Sequence, residues 1–214
     1  MYLAIEGIIG VGKTTLTRLL QPIFDASLLL EVFEENPFLS DFYGDRSRYA
    51  FQTQIFFLLT RYRHQHQSVP EALAQGNLIT DYTFAKDSLF ARLNLNGDEL
   101  ATYHLLHEAL AERIPLPDLV VYLRVDPAVA LRRIAQRDRP YERNLEANYL
   151  ESLNRAYEEH FVRGGTPPVL TVDTSDLDFV ARPQDLAWIV GQIRSVLGVP
   201  PYQPELPMQG GRPV

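Results

Sequence analysis

One run of nine residues near the N-terminus, Gly7-Ile8-Ile9-Gly10-Val11-Gly12-Lys13-Thr14-Thr15, limits what this chain can fold into more than any other segment. It matches the pattern G-x-x-x-x-G-K-[ST] and follows a short apolar strand signal, Tyr2 to Ile5. Gly7, Gly10 and Gly12 let the backbone curl so that successive N–H groups face inward. The first turn of the next helix then aims its unpaired donors and its dipole at an anion, with Val11, Lys13, Thr14 and Thr15 completing the loop. Lys13 reaches the outer phosphates of a nucleoside triphosphate, and Thr14 offers its hydroxyl to magnesium. Behind the loop, Leu16, Leu19, Leu20 and Ile23 recur at helical spacing, so strand, phosphate loop and helix follow in order.

The remainder of the chain narrows the class. Its 214 residues, 46% of them apolar, fit one domain of ordinary size with a real core. A formal charge of -7 leaves no general polyanion-binding surface, so no nucleic-acid partner is expected. The absence of cysteine excludes disulfides, thiolate catalysis and Cys-built metal sites. Glu6 and the phosphate loop follow Met1 too closely for a secretory signal, and no apolar stretch approaches the ~20 residues of a membrane span. The expectation is a cytoplasmic protein with no membrane partner. A domain over residues 1–199 is expected, followed by a Pro/Gly-rich, mobile tail over 200–214 that holds five prolines.

Short apolar runs alternate with longer helical patterns. Strands are expected at about 2–6, 27–31, 77–81, 118–124 and 168–173, and the segments between them carry apolar residues at three- and four-residue spacing. That alternation predicts an α/β fold, a central five-stranded parallel sheet with helices on both faces. A long helix is expected from Tyr49 to Gln67, a short one opened by Pro70 and stopped by Gly76-Asn77, another from Leu100 to Ile114, and one capped by Asp126. Ligands of such sheets bind at the carboxyl ends of the strands, which selects Gly7 to Thr15, Glu31 to Pro37, Asp81 to Asp87 and Asp173 to Asp178.

Within those segments, Glu31 is placed to take a proton from an acceptor hydroxyl, with Glu34 as its rival. A solvated acidic run is the plain structural alternative. Asp81 is placed to hold magnesium directly or through water; its competing role is a cap for a helix over Thr83 to Leu89. Arg132, Arg133, Arg137 and Arg139 follow the Asp126 cap. Arg133 and Arg137 are one turn apart, and the cluster reads as a lid over a triphosphate, or more plainly as an Arg-rich helix end favoured by the dipole. The five histidines show no metal-ligand spacing.

Taken jointly, these segments resemble the deoxyribonucleoside kinase family, in particular its bacterial deoxyadenosine and deoxyguanosine kinase branch. The similar stretches are Gly7 to Thr15, Glu31 through Asn36-Pro37-Phe38-Leu39 to Phe42-Tyr43, Tyr49-Ala50-Phe51 through Gln54 to Arg61, Asp81 to Ala91, Arg133 to Glu142, and Tyr149-Leu150-Glu151. The resemblance implies a three-layer P-loop kinase fold with an Arg-rich lid. It also implies transfer of a phosphoryl group from ATP, or another nucleoside triphosphate, to the 5'-hydroxyl of a deoxynucleoside, with purines preferred. Carried over residue by residue, Glu31 matches the general base. Lys13, Arg133, Arg137 and Arg139 match the groups on the transferring phosphate. Tyr43 and Glu142 match the pair on the sugar 3'-hydroxyl, Gln54 matches the amide on the base edge, and Arg61 with Asp87 matches a further base-reading pair. Phe84 and Phe51 are candidate walls for the base, and Asp173 opens the loop over the donor adenine.

One departure is visible. The family commonly carries an acidic residue followed by Arg-Ser where this chain has Asp81-Tyr82-Thr83, and Arg133 with the other lid arginines is expected to compensate. The nearest alternative is a nucleoside monophosphate kinase resembling thymidylate kinase; a deoxycytidine-preferring enzyme and a non-catalytic nucleotide switch are the others. A homodimer through the helices around Tyr49 to Gln67 and Leu100 to Ile114 is implied by the resemblance.

Overall fold

Strand β1 (Tyr2–Gly7) is buried at all six residues, which requires helices against both faces of the sheet it centres. The structure, a computed structural model, describes residues 1–112, 114–162 and 167–200. The expected tail therefore lies outside the described residues from position 201 onward. The sheet is five-stranded, in the order β2 (Ala26–Leu29), β3 (Asn77–Thr80), β1, β4 (Leu119–Arg124) and β5 (Val169–Asp173). Every pairing is parallel.

The strand order sets the cleft. The chain leaves β1 for β2 on one side and returns from β3 to β4 on the other, so the reversal of direction falls at β1 and β3, and a crevice opens above their carboxyl ends. The phosphate loop emerges there and leads into α1 (Lys13–Phe24), whose Leu16, Leu20 and Phe24 join the central core.

Between β2 and β3 stand α2 (Leu39–Gly44), α3 (Arg46–Arg63) and α4 (Val69–Gln75). The break expected before Pro70 is instead a π turn over His64–Ser68, which carries α3 into α4 without interruption. A wider turn tolerates the missing proline N–H. After β3 come α5 (Lys86–Asn94) and α6 (Gly97–Ala111), which pack with α3 into a second core around Leu58, Phe84 and Tyr103. Asp126 caps α7 (Pro127–Arg137) as expected, accepting from the Ala128 N–H at 2.7 Å. The last two helices are α8 (Ala147–Phe161) and α9 (Pro183–Leu197). Among the described residues, no helix is long and apolar enough to cross a membrane.

Candidate active site

The phosphate loop is tied to α7 by its glycines. Gly10 and Gly12 sit at φ 83° and 107°, where a side chain is strained. A Cβ at Gly10 would lie 2.7 Å from Ile134 Cγ1 and 2.8 Å from the Ala130 carbonyl, so α7 approaches only because position 10 is bare. The Lys13 ammonium bridges the carbonyls of Gly7 at 2.7 Å and Ile8 at 3.0 Å. Burial lowers its pKa to about 8, with Lys86 acting in the same direction, against the pull of Glu6, Asp81 and Glu31. A phosphate is the kind of partner that restores such a charge.

Asp81, one residue past β3, joins two halves of the site. Its Oδ2 accepts from the Thr14 hydroxyl at 2.6 Å, and its Oδ1 accepts from the Glu31 N–H at 2.8 Å. It caps no helix, because α5 begins only at Lys86. Thr14 and Asp81 offer oxygen alone, as a hard divalent cation prefers. Among the described residues no three His, Asp or Glu side chains converge to hold a metal, so magnesium bound here would complete its shell with phosphate and water.

The Glu31 carboxylate lines the cleft with Lys13, Thr14 and Gln54. Arg61, from the last turn of α3, donates to Glu31 Oε1 through Nε at 2.9 Å and also through NH2. Lys86 pairs with Oε2, and Arg61 extends its third nitrogen to Asp87. Burial pushes the Glu31 carboxyl up, but Arg61 and Lys86 outweigh it and hold it at about 2. The consequence for stability follows from the sign: a carboxylate held below its ordinary value stabilises the fold above pH 4.5 and stops doing so as pH falls through about 2. Urea midpoints taken between pH 5 and pH 2 should fall more steeply for the wild type than for Glu31→Gln.

At the mouth of the cleft, Arg137 forms a two-oxygen contact with Glu142 at 2.7 and 2.6 Å. The Arg139 guanidinium lies 4.4 Å above the Phe33 ring and 3.8 Å from Glu142. Tyr43 lines the same cavity and stacks on Tyr141 with centroids 6.3 Å apart. Burial raises its phenol well above the usual value, with Tyr149 and Glu142 reinforcing the effect, so it stays a neutral donor. A second cavity opens on the other side of the loop, between Arg132 and Arg133 and the Ser175 to Arg182 segment. Gly10, Gly12, Thr15 and Arg137 line both.

Over residues 3–198 the chain matches the deoxynucleoside kinase family. It belongs to that family. It is 33% identical over 201 residues to the deoxyguanosine kinase of Bacillus subtilis (strain 168), covering 92% of this chain and 97% of that one. With the deoxyadenosine/deoxycytidine kinase of the same organism it shares 32% over 203 residues, 91% and 92% of the two chains. The structure of the deoxyadenosine kinase from M. mycoides, with dCMP and dCDP bound, matches at a TM-score of 0.79 and 28% identity, covering 91% of this chain and 100% of that one. The chain is therefore a deoxynucleoside kinase that uses a nucleoside triphosphate as donor.

In this deoxynucleoside kinase, the cleft brings together most of the residues singled out from sequence: Lys13, Thr14, Glu31, Tyr43, Gln54, Arg61, Asp81, Arg137, Arg139 and Glu142. Asp87 is fully buried behind Arg61 and reaches the cleft only through it. Gln54 is 2% exposed and lines the cleft from α3. Three expectations are corrected. Phe84 is no wall of this cleft: it stacks on His107 at 4.9 Å inside the second core, and Phe33, Phe42, Tyr43, Phe57, Phe90 and Tyr141 supply the aromatic lining. Asp173 does not line the second cavity, since its Oδ1 turns back to the Ser175 N–H at 2.9 Å. Arg133 does not stand beside Glu31 to replace the absent arginine: it donates to the Val11 and Thr174 carbonyls at 3.0 and 3.1 Å and lines the second cavity, not the Glu31 cleft. The cations beside Glu31 are Arg61 and Lys86. Lys86 lies inside the segment selected after β3, but no motif or periodicity in the sequence singles it out within that segment.

Proposed function

We propose that this kinase transfers the γ-phosphoryl group of Mg-ATP to the 5'-hydroxyl of a purine deoxynucleoside, with Glu31 receiving the hydroxyl, and that it works as a homodimer. The observation that carries this reading is the pair of cavities sharing Gly10, Gly12, Thr15 and Arg137, because a phosphoryl group moving between two guests needs one loop that faces both. The Ser175 to Phe179 side takes the donor base. The Gln54 side takes the acceptor, whose base edge meets an amide offering a donor and an acceptor together. Tyr43 and Glu142 lie where a sugar hydroxyl can use both of its hydrogen-bonding capacities.

Thr14 and Asp81 are the residues that would hold magnesium, which would supply positive charge to the donor's phosphates. Lys13, Arg137 and Arg139 then neutralise charge as it builds on the transferring group, and closure of the α7 end excludes water.

The monophosphate-kinase alternative needs free cations at the acceptor end. Arg61 and Lys86 are there, but Glu31 and Asp87 neutralise them, which disfavours a phosphorylated acceptor. Purine preference is supported by relatives named for deoxyguanosine and deoxyadenosine, and the relative named also for deoxycytidine keeps that base as the second candidate. Steady-state rates with Mg-ATP across the four deoxynucleosides and their monophosphates test both points. Deoxyguanosine or deoxyadenosine should give the highest kcat/KM; a monophosphate in first place would contradict the reading. For the dimer, Leu59 on α3 and Leu105 on α6, 51% and 70% exposed, are apolar groups that a second copy of the chain would cover. Sedimentation at twice the 24.4 kDa chain mass is the expected result, and a monomer would oppose it.

A further inference from the structure

Lysine is scarce in this chain: of its 20 basic residues 18 are arginines, and the two lysines are Lys13 and Lys86. Both line the same cleft. Lys13 belongs to the phosphate loop, whereas Lys86 stands where a cation is doubly disfavoured. It is the first residue of α5, at the positive end of the helix dipole, and it is only 5% exposed. Glu31 offsets both penalties, since the Lys86 ammonium donates to its Oε2, with the Phe90 ring 5.7 Å from Nζ.

The other carboxylate oxygen, Oε1, belongs to Arg61, and Arg61 is shared with Asp87. Two anions and two cations thus form a neutral, largely buried set in which, among the described residues, Lys86 alone donates to Oε2. Tyr82, in the segment between β3 and α5, cannot take this part: it is fully buried, with its hydroxyl 2.9 Å from His64 Nδ1. A single point charge on a flexible stem suits the task, because a guanidinium fork would engage more of the carboxylate and block the lone pair that the acceptor must find.

The geometry points to Lys86 as a positioning residue for phosphoryl transfer, one that fixes the Glu31 carboxylate for the acceptor hydroxyl and keeps the Glu31–Asp87 pair from presenting net negative charge to the phosphates. This rests on the role proposed for Glu31. Loss of Lys86 leaves a buried anion without its counter-charge beside an incoming triphosphate, which slows transfer while the donor site on the far side of the loop is unchanged.

The test compares Lys86→Met, Glu31→Gln and the double variant by steady-state kinetics with Mg-ATP and deoxyguanosine. Lys86→Met should lower kcat by about 10–100-fold, with the KM for Mg-ATP within about threefold of wild type. Because both residues act through one carboxylate, the double variant should fall within about twofold of Glu31→Gln alone. Wild-type kcat for Lys86→Met, or a double variant slower than Glu31→Gln by the full Lys86→Met factor, overturns the proposal. If Lys86→Met fails to fold by circular dichroism, the double variant decides alone, since its remaining Arg61–Asp87 pair is neutral: parity with Glu31→Gln supports the proposal and a further tenfold or so loss overturns it. Full turnover in Glu31→Gln removes the base assignment itself, whereas an impaired Glu31→Gln beside an unimpaired Lys86→Met removes only Lys86.

Discussion

Glu31→Gln is expected to lower kcat for deoxynucleoside phosphorylation by about 10²–10⁴-fold, with affinity for Mg-ATP unchanged. Glutamine keeps the size of the side chain but loses the charge that Arg61 and Lys86 grip, and its amide cannot accept the hydroxyl proton. The carboxylate is a weak base while two cations hold it near a pKa of about 2. Phosphoryl transfer through a loose transition state asks for little early proton removal, so the task proposed for Glu31 is first to accept a hydrogen bond and align the hydroxyl in line with the γ-phosphorus. Glu34 supplies the control. Its side chain is 54% exposed and faces Arg139 at 3.9 Å, outside the cleft lining, so Glu34→Gln should turn over at close to the wild-type rate. A reversal of these two outcomes would hand the base role to Glu34.

Asp81→Asn should be nearly as damaging, for a different reason. One carboxylate receives both the Thr14 hydroxyl and the Glu31 N–H, so in the proposed mechanism it would hold the metal side and the acceptor side in one frame. An asparagine can keep one of these bonds but presents its NH2 to the other. The expected loss is about 10–100-fold in apparent Mg²⁺ affinity, together with a fall in kcat that saturating Mg²⁺ does not fully restore. Activity titrated against Mg²⁺ separates the two parts. Complete recovery at high Mg²⁺ would mean that Asp81 serves the metal alone and leaves Glu31 untouched.

The sequence was most legible where chemistry is local. The loop from Gly7 to Thr15 needs glycine at fixed offsets, and the structure shows why: Ile134 and Ala130 occupy the space that a side chain at Gly10 would take. The five strands were legible as short apolar runs, and each observed strand begins or ends within two residues of its expected bounds. Helices α8 and α9 were not read, even though their buried faces are regular. Contacts between distant segments were harder to see. Lys86, the first residue of α5, meets Glu31, in the segment after β2, across 55 positions, and no periodicity within α5 announces that meeting. Phe84 shows the same limit from the other side: its place after β3 made it a candidate wall, but the turn before α5 sends the ring into the second core against His107. Its aromatic character alone did not distinguish a ligand wall from packing. The departure at Tyr82 is visible in sequence, whereas the cations that stand beside Glu31, Arg61 and Lys86, come from α3 and the start of α5 rather than from the lid.

The most direct test is a crystal structure with deoxyguanosine and a non-hydrolysable ATP analogue bound together. The account places the 5'-oxygen within about 2.6–3.2 Å of a Glu31 carboxylate oxygen, the base edge against Gln54, and the analogue's phosphates on Lys13. A deoxynucleoside seated with its 5'-oxygen turned away from Glu31, or with its base remote from Gln54, would contradict it.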